Sequence, residues 1–312
     1  MQFSNRVTEM LGVAIPVVQA PMGWIARSQL ASAVSEAGAF GIIETSSGEL
    51  DAVQEEIKKM RTLTDKPFGV NIAQAFVRDP AIVQFVIDQG VKFVTTSAGS
   101  PERYTEQLKS AGLTVFHVVP SLKAALKAVE CGVDGLVVEG GEGGGFKNPR
   151  EVSTMVLLPL VRSKVDVPII AAGGFVDGKS MAAAFALGAE GIQLGTRMVS
   201  SLESPVHENW KKAILEAKET DTVFLNRHHS PALRALRTEK TSRLENDSAT
   251  NAMTEFGTAH DLYFGGDMEA SIALTGQVCG RIDEVRPVAD IIADIKREFF
   301  ETIDSMAVQY LA

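Results

Sequence analysis

The chain has 312 residues, with 39 acidic side chains against 30 basic ones and a formal net charge of −9. No dense Lys/Arg run is present to displace the counterions of a nucleic acid, so a nucleic-acid partner is not expected. The 45% apolar share suits a soluble globular chain that buries about three quarters of its unfolded surface.

Eight short apolar runs rich in β-branched residues recur over the first two hundred positions: Pro16–Gln19, Gly41–Glu44, Phe68–Ile72, Phe93–Thr96, Thr114–Val118, Gly135–Val138, Pro168–Ala172 and Gly191–Leu194. Continuous apolar runs of this length predict strands buried on both faces, as in a parallel sheet. Between them lie segments of helical spacing. Ser28–Ala37 places Leu30, Ala33, Val34 and Ala37 on one stripe and ends at Gly38, a C-cap residue. Asp51–Met60, Pro80–Gln89, Pro101–Ser110, Leu122–Cys131, Val152–Ser163, Ser180–Leu187 and Pro205–Ala217 read the same way, several closed by glycine at 90, 112, 132 and 188. Asp79-Pro80 and Ser100-Pro101 read as an N-cap followed by an N1 proline. Eight strand–helix units predict an α/β fold, a closed (β/α)8 TIM barrel over residues 1–219, against the five or six strands of a doubly wound sheet. Residues 220–312 break the rhythm. They are expected to form a helical subdomain over the barrel mouth, with Thr238–Thr254 as loop or mobile helix.

The two cysteines, Cys131 and Cys279, lack CxxC or Cys-His spacing and read as small buried hydrophobes. Residues 1–6 carry no basic stretch leading into an apolar core, and no apolar run approaches the ~18 residues that span a bilayer. A cytoplasmic address without a membrane partner is the expectation.

In a barrel, functional groups collect at the carboxyl ends of the strands, with phosphate commonly held after the seventh and eighth. After the seventh run stands Gly173-Gly174, and after the eighth Gly195-Thr196. Glycines allow backbone N–H groups close to phosphate oxygens, the Thr196 hydroxyl adds a donor, and a helix beginning near Ser180 would add its positive end. Asn71 ends the third run with an amide suited to the edge of a ring system. The sixth run ends in Glu139-Gly140-Gly141-Glu142-Gly143-Gly144-Gly145. This stretch reads as a ligand-covering loop, with Glu139 either accepting from ligand hydroxyls or capping local backbone. His117, near the end of the fifth run, faces a ring system or is a satisfied core histidine. His228 and His229 reach a substrate or lie in solvent, and His207 and His260 read as surface. The basic stretch Arg234–Arg243 is either a solvated helix edge or a dock for an anionic tail. No metal-ligand spacing occurs, so no metal is expected.

The motifs Pro16-Val-Val-Gln-Ala-Pro-Met-Gly23, Lys66-Pro-Phe-Gly-Val-Asn71, Glu142-Gly-Gly-Gly145, Ser153-Thr-Met-Val-Leu-Leu-Pro159, Ile170-Ala-Ala-Gly-Gly174, Gln193-Leu-Gly-Thr-Arg197, Ala232-Leu-Arg-Ala-Leu-Arg237 and Gly276-Gln277 resemble the nitronate monooxygenase (2-nitropropane dioxygenase) family, which includes flavin-dependent enoyl-acyl-carrier-protein reductases. The resemblance spans nearly the whole chain and implies a non-covalent FMN. It places Ala20, Pro21 and Met22 beside the isoalloxazine, Asn71 at its edge, and Glu139 and Gln193 along the ribityl and ring region. It places Gly173, Gly174, Gly195 and Thr196 at the phosphate, with Gly276 and Gln277 closing over the ring. One departure stands out. The family's histidine after the glycine run, a catalytic base or substrate anchor, is Phe146 here, followed by Lys147 and Arg150. Phenylalanine moves no proton, so acid–base work is expected to shift to Lys147, His117 or His228, with Phe146 and Arg150 meeting the substrate. The resemblance implies a nitronate oxidised with oxygen. The alternatives are NAD(P)H-dependent reduction of an anionic enoyl thioester or a quinone, or weak flavin binding without catalysis. The oligomeric state is left open, a homodimer included.

Overall fold

The computed structural model describes every residue except Arg78, Pro80 and Ala312. Eight strands form one parallel sheet: β1 (Val17–Gln19), β2 (Gly41–Ile43), β3 (Phe68–Ala73), β4 (Phe93–Ser97), β5 (Thr114–Val119), β6 (Gly135–Glu139), β8 (Ile169–Ala172) and β9 (Gly191–Leu194). A short additional strand, β7 (Gly145–Lys147), lies between β6 and β8 in the chain but outside this sheet. The spatial order β1-β9-β8-β6-β5-β4-β3-β2 is closed by a parallel bridge between Val18 and Phe40, with the Gln19 N–H donating to the Phe40 carbonyl at 3.0 Å. This is the (β/α)8 barrel, and all eight expected runs are its strands. Of the two expected proline caps, Ser100 accepts from the Glu102 N–H ahead of a 3-10 turn Pro101–Arg103, while Pro80 lies outside the described residues.

The barrel interior is filled by large side chains from several strands: Val18, Ile42, Phe93, Phe116, Val137 and Ile170, with Phe40 beside them. Val7 and Leu11 of the helix Arg6–Leu11 join the same cluster. A Cβ at Gly135 would run into the ring of Phe116, so the small residue on β6 is what lets the phenyl ring occupy the barrel. Emptying such a fully buried aromatic site costs about 3–5 kcal/mol. A second apolar layer lies between the strands and the surrounding helices and includes Leu30, Ile57, Leu108, Leu157 and Ile292.

The chain after residue 219 differs from the all-helical expectation. Strands β10 (Thr222–Leu225) and β11 (Ala232–Leu236) form an antiparallel hairpin, and β11 pairs in turn with β7, with Ala232 opposite Lys147 and Leu233 opposite Phe146. Every residue of β11 is buried, which removes the polar alternation that marks a half-exposed strand. The long helix Val288–Tyr310 does not cover the mouth. It packs on the barrel's outer ring, where Phe299 meets Phe185 at 4.9 Å between ring centres. Among the described residues, no helix is long and apolar enough to cross a membrane.

Candidate active site

A cavity of about 750 Å³ opens at the carboxyl ends of the barrel strands. It is lined by Ala20, Pro21 and Met22 after β1, Asn71 of β3, His117 of β5 and Glu139 of β6. Phe146 and Lys147 of β7, Gly173 and Gly174 after β8, Gln193 of β9, and Gly195, Thr196 and Gly276 complete this set of expected residues. Three expected residues are not among the lining. Arg150 is exposed, and so is His228 in the β10–β11 turn. Gln277 uses its backbone N–H on the Glu142 carbonyl at 2.9 Å.

Gly173 and Gly174 have φ of 87° and 90°, a region in which a Cβ is strained. A Cβ on Gly173 would also stand 2.9 Å from the Gly140 carbonyl oxygen. Among the described residues, the N–H groups of Gly173, Gly174 and Gly195 have no acceptor, so both turns present free donors. Thr196 Oγ1 accepts from the Gly276 N–H at 2.9 Å, tying the C-terminal segment to the second turn. The start of the following helix, Gly178–Ala186, expected to add its positive end, does not line the cavity. Asp177 accepts from the Ser180 N–H at 2.8 Å and pairs with Arg281, while the Gly178 N–H donates to Glu298. Two N–H groups of that helix start are already bonded to carboxylates.

The glycine loop is braced from below. The Glu142 carboxylate accepts from the Thr154 N–H at 2.9 Å, capping the helix Thr154–Arg162. Arg234, expected as solvated or as a dock for an anion, is buried. Its Nε donates to the Gly141 carbonyl at 2.6 Å, and its other nitrogens reach Thr222 at 3.1 Å and Glu151 at 2.7 Å. Arg237 pairs with Glu245. The basic stretch therefore fixes the loop and offers no anion dock through these two side chains.

The polar groups divide into those spent on the scaffold and those left over. Asn71 Nδ2 donates to Thr95 Oγ1 at 2.9 Å, leaving its carbonyl as the weaker-bonded end. Gln193 Oε1 is buried without a partner, a state that costs about 1–3 kcal/mol unless a ligand donor meets it. An orphaned acceptor on the wall and unpaired N–H groups at the paired glycine turns fit a ring carrying N–H and hydroxyl donors attached to a phosphate, as FMN is. His117 is buried, with Nδ1 2.7 Å from Thr96 Oγ1. Burial pushes its pKa down to about 4, against a smaller upward effect of a backbone hydrogen bond with Gly99. The imidazole is therefore neutral near pH 7. Lys147 pairs with Glu139. Successive strand residues point to opposite faces, and Phe146 packs with Phe76 at 5.0 Å and Phe256 at 6.1 Å between ring centres.

The family profile described as "Nitronate monooxygenase" matches residues 4–81 and 74–298. The chain belongs to the nitronate monooxygenase family. It is 38% identical to the (3aS,4S,5R,7aS)-5-hydroxy-7a-methyl-1-oxo-octahydro-1H-indene-4-carboxyl-CoA dehydrogenase of Mycobacterium tuberculosis, over 80% of this chain and 70% of that one. It is 31% identical to a probable nitronate monooxygenase of Staphylococcus saprophyticus, over 72% of this chain and 76% of that one. Among solved structures, FabK from Thermotoga maritima superposes with a TM-score of 0.91 at 39% identity, covering 97% of this chain and 98% of that one. Like these dehydrogenases and monooxygenases, this nitronate monooxygenase family member is an oxidoreductase.

Four aromatic residues at or beside the site carried no signal in the sequence of this family member. Tyr263 and Trp210 line the cavity with ring centres 4.8 Å apart, and Trp210 Nε1 donates to Thr275 Oγ1 at 3.2 Å. Burial, with a smaller contribution from Glu44, raises the Tyr263 phenol well above its usual range. Phe76 and Phe256 flank Phe146. All four lie in short helices, 3-10 turns or connecting chain whose place over the barrel is set by tertiary packing.

Proposed function

We propose that the protein is an FMN-dependent oxidoreductase acting on the acyl part of a thioester of coenzyme A type, in preference to a nitronate. The observation that carries this reading is Phe146. At the position where the family has a histidine, a phenyl ring flanked by Phe76 and Phe256 faces the cavity. Such a wall favours a hydrocarbon substrate and excludes water, and it has no proton to give. The similar dehydrogenase named above has a carboxyl-CoA group in the name of its substrate, which supports the same class.

Bound FMN would supply the hydride acceptor or donor. The glycine turns would take its phosphate, and the orphaned Gln193 Oε1 would accept a hydrogen bond from a ring N–H or a hydroxyl of the cofactor. Neutral His117 would act as a hydrogen-bond partner rather than a charge. Phe146 would orient the acyl chain against the ring.

Anaerobic stopped-flow mixing tests the proposal with a saturated acyl-CoA, an enoyl-CoA, NADH, NADPH and propionate 3-nitronate. The expected result is bleaching of flavin absorbance by the acyl-CoA, or reduction by NADH or NADPH followed by reoxidation with the enoyl-CoA. Bleaching by propionate 3-nitronate with indifference to both thioesters would overturn it in favour of nitronate oxidation. Silence towards every reagent would identify a flavin binder without this chemistry.

A further inference from the structure

The cavity contains a cation whose place is not explained by acid–base work on the substrate. Among the described lining residues, only Lys127 and Lys147 carry a positive side chain. Lys127 is 41% exposed, lies on the helix after β5, and is paired with Glu102 and Glu130. Lys147 is the opposite case, with its side chain 4% exposed.

Its position is fixed by neighbours on three elements. The ammonium pairs with Glu139 at the end of β6. A Cβ built on Gly143 would lie 2.8 Å from Glu139 Oε1, 2.9 Å from Lys147 Nζ and 3.3 Å from the Gly173 Cα. The ion pair and the first glycine turn therefore share one pocket across the bare backbone of Gly143. Phe146, its neighbour on β7, packs instead with Phe76 and Phe256. The cation therefore lies beside the strand-end turn.

A buried phosphate dianion held by neutral N–H groups alone keeps most of its desolvation cost. An ammonium group has three N–H donors, and Glu139 is the single carboxylate bonded to this one. We infer that Lys147 is the counter-charge of the cofactor phosphate, bridging Glu139 and the Gly173–Gly174 turn, and that the pairing of β7 with β11 delivers it there. The inference rests on the FMN reading above and adds a binding residue to it. It also removes Lys147 from the substrate's acid–base candidates.

The test compares FMN with riboflavin, which lacks the phosphate, by fluorescence titration of protein stripped of flavin. The wild type is expected to bind FMN at least about tenfold more tightly than riboflavin. In Lys147→Met the FMN Kd is expected to rise about tenfold or more while the riboflavin Kd stays within about twofold; Lys147→Arg is expected to recover most of the preference. Added salt is expected to erode the FMN preference of the wild type more than that of Lys147→Met. Equal weakening of both ligands, or an unchanged FMN Kd, would overturn the inference, because either means that Lys147 only holds Glu139 and the loop. If the Met variant does not fold, the same FMN-to-riboflavin ratio in Lys147→Gln decides the point. A wild type that binds neither flavin is a different failure, that of the FMN reading.

Discussion

Thr96 Oγ1 lies 2.7 Å from Nδ1 of His117, across the β4–β5 pair of the barrel. With Thr96 donating, the neutral ring carries its proton on Nε2. Burial holds the folded-state pKa near 4, below the ordinary value of 6.5. The unfolded chain therefore takes up this proton more readily than the folded one between those values, and stability falls as pH drops through that window. Urea unfolding at about pH 7 and about pH 4.5 is expected to show a loss of about 2 kcal/mol from this residue. His117→Asn is expected to flatten that part of the dependence. Parallel pH profiles for the two proteins would reject a neutral buried imidazole.

Arg234 connects the hairpin to the glycine loop through the Gly141 carbonyl and Glu151. Arg234→Ala leaves a buried carbonyl unpaired and takes the nearer of two arginine partners from Glu151, which is partly exposed and keeps Arg227; the expected cost is about 2–3 kcal/mol. Because the loop carries Gly143 against the proposed phosphate site, flavin affinity is expected to fall as well. Lysine cannot reproduce the fork, so Arg234→Lys is expected to recover little. Thermal unfolding and flavin titration check both effects. A melting temperature equal to the wild type would show that the loop is held without Arg234.

Phe146→His restores the family's side chain. It is expected to raise oxygen-dependent oxidation of propionate 3-nitronate by about a hundredfold, a usual contribution of a placed acid–base group. It is also expected to raise the KM for an acyl-CoA, because an imidazole interrupts the apolar wall. Oxygen uptake measures the first effect and steady-state thioester kinetics the second. An unchanged nitronate rate would mean that the missing histidine does not decide the substrate class.

The barrel was legible because each of its strands is buried on both faces and so forms an unbroken apolar run in the chain. The glycine turns at the cavity were legible because paired glycines after consecutive strands carry a backbone meaning that few other residues can supply. Gly145-Phe146-Lys147 had no such mark. Three residues that straddle the end of a glycine run have no pattern of their own and become a strand only when β11 supplies an edge. Arg234 was misread for a related reason: its ligands lie on Gly141, Glu151 and Thr222, far away in the chain. The helix start near Ser180 was misjudged although Asp177 and Ser180 form a capping box visible in the sequence. Residue type and closeness in the chain point to His228 and Arg150, and topology leaves both outside the lining.

The hairpin that sets Leu233 opposite Phe146 and Ala232 opposite Lys147 makes two features of the pocket into one alignment. A slip of a single position along a strand reverses its faces, which here would trade a phenyl ring for an ammonium group on either side of β7. A change in the register of β11 against β7 would therefore alter the proposed hydrocarbon wall and the proposed anion site together. Neither one can be tuned independently through that register.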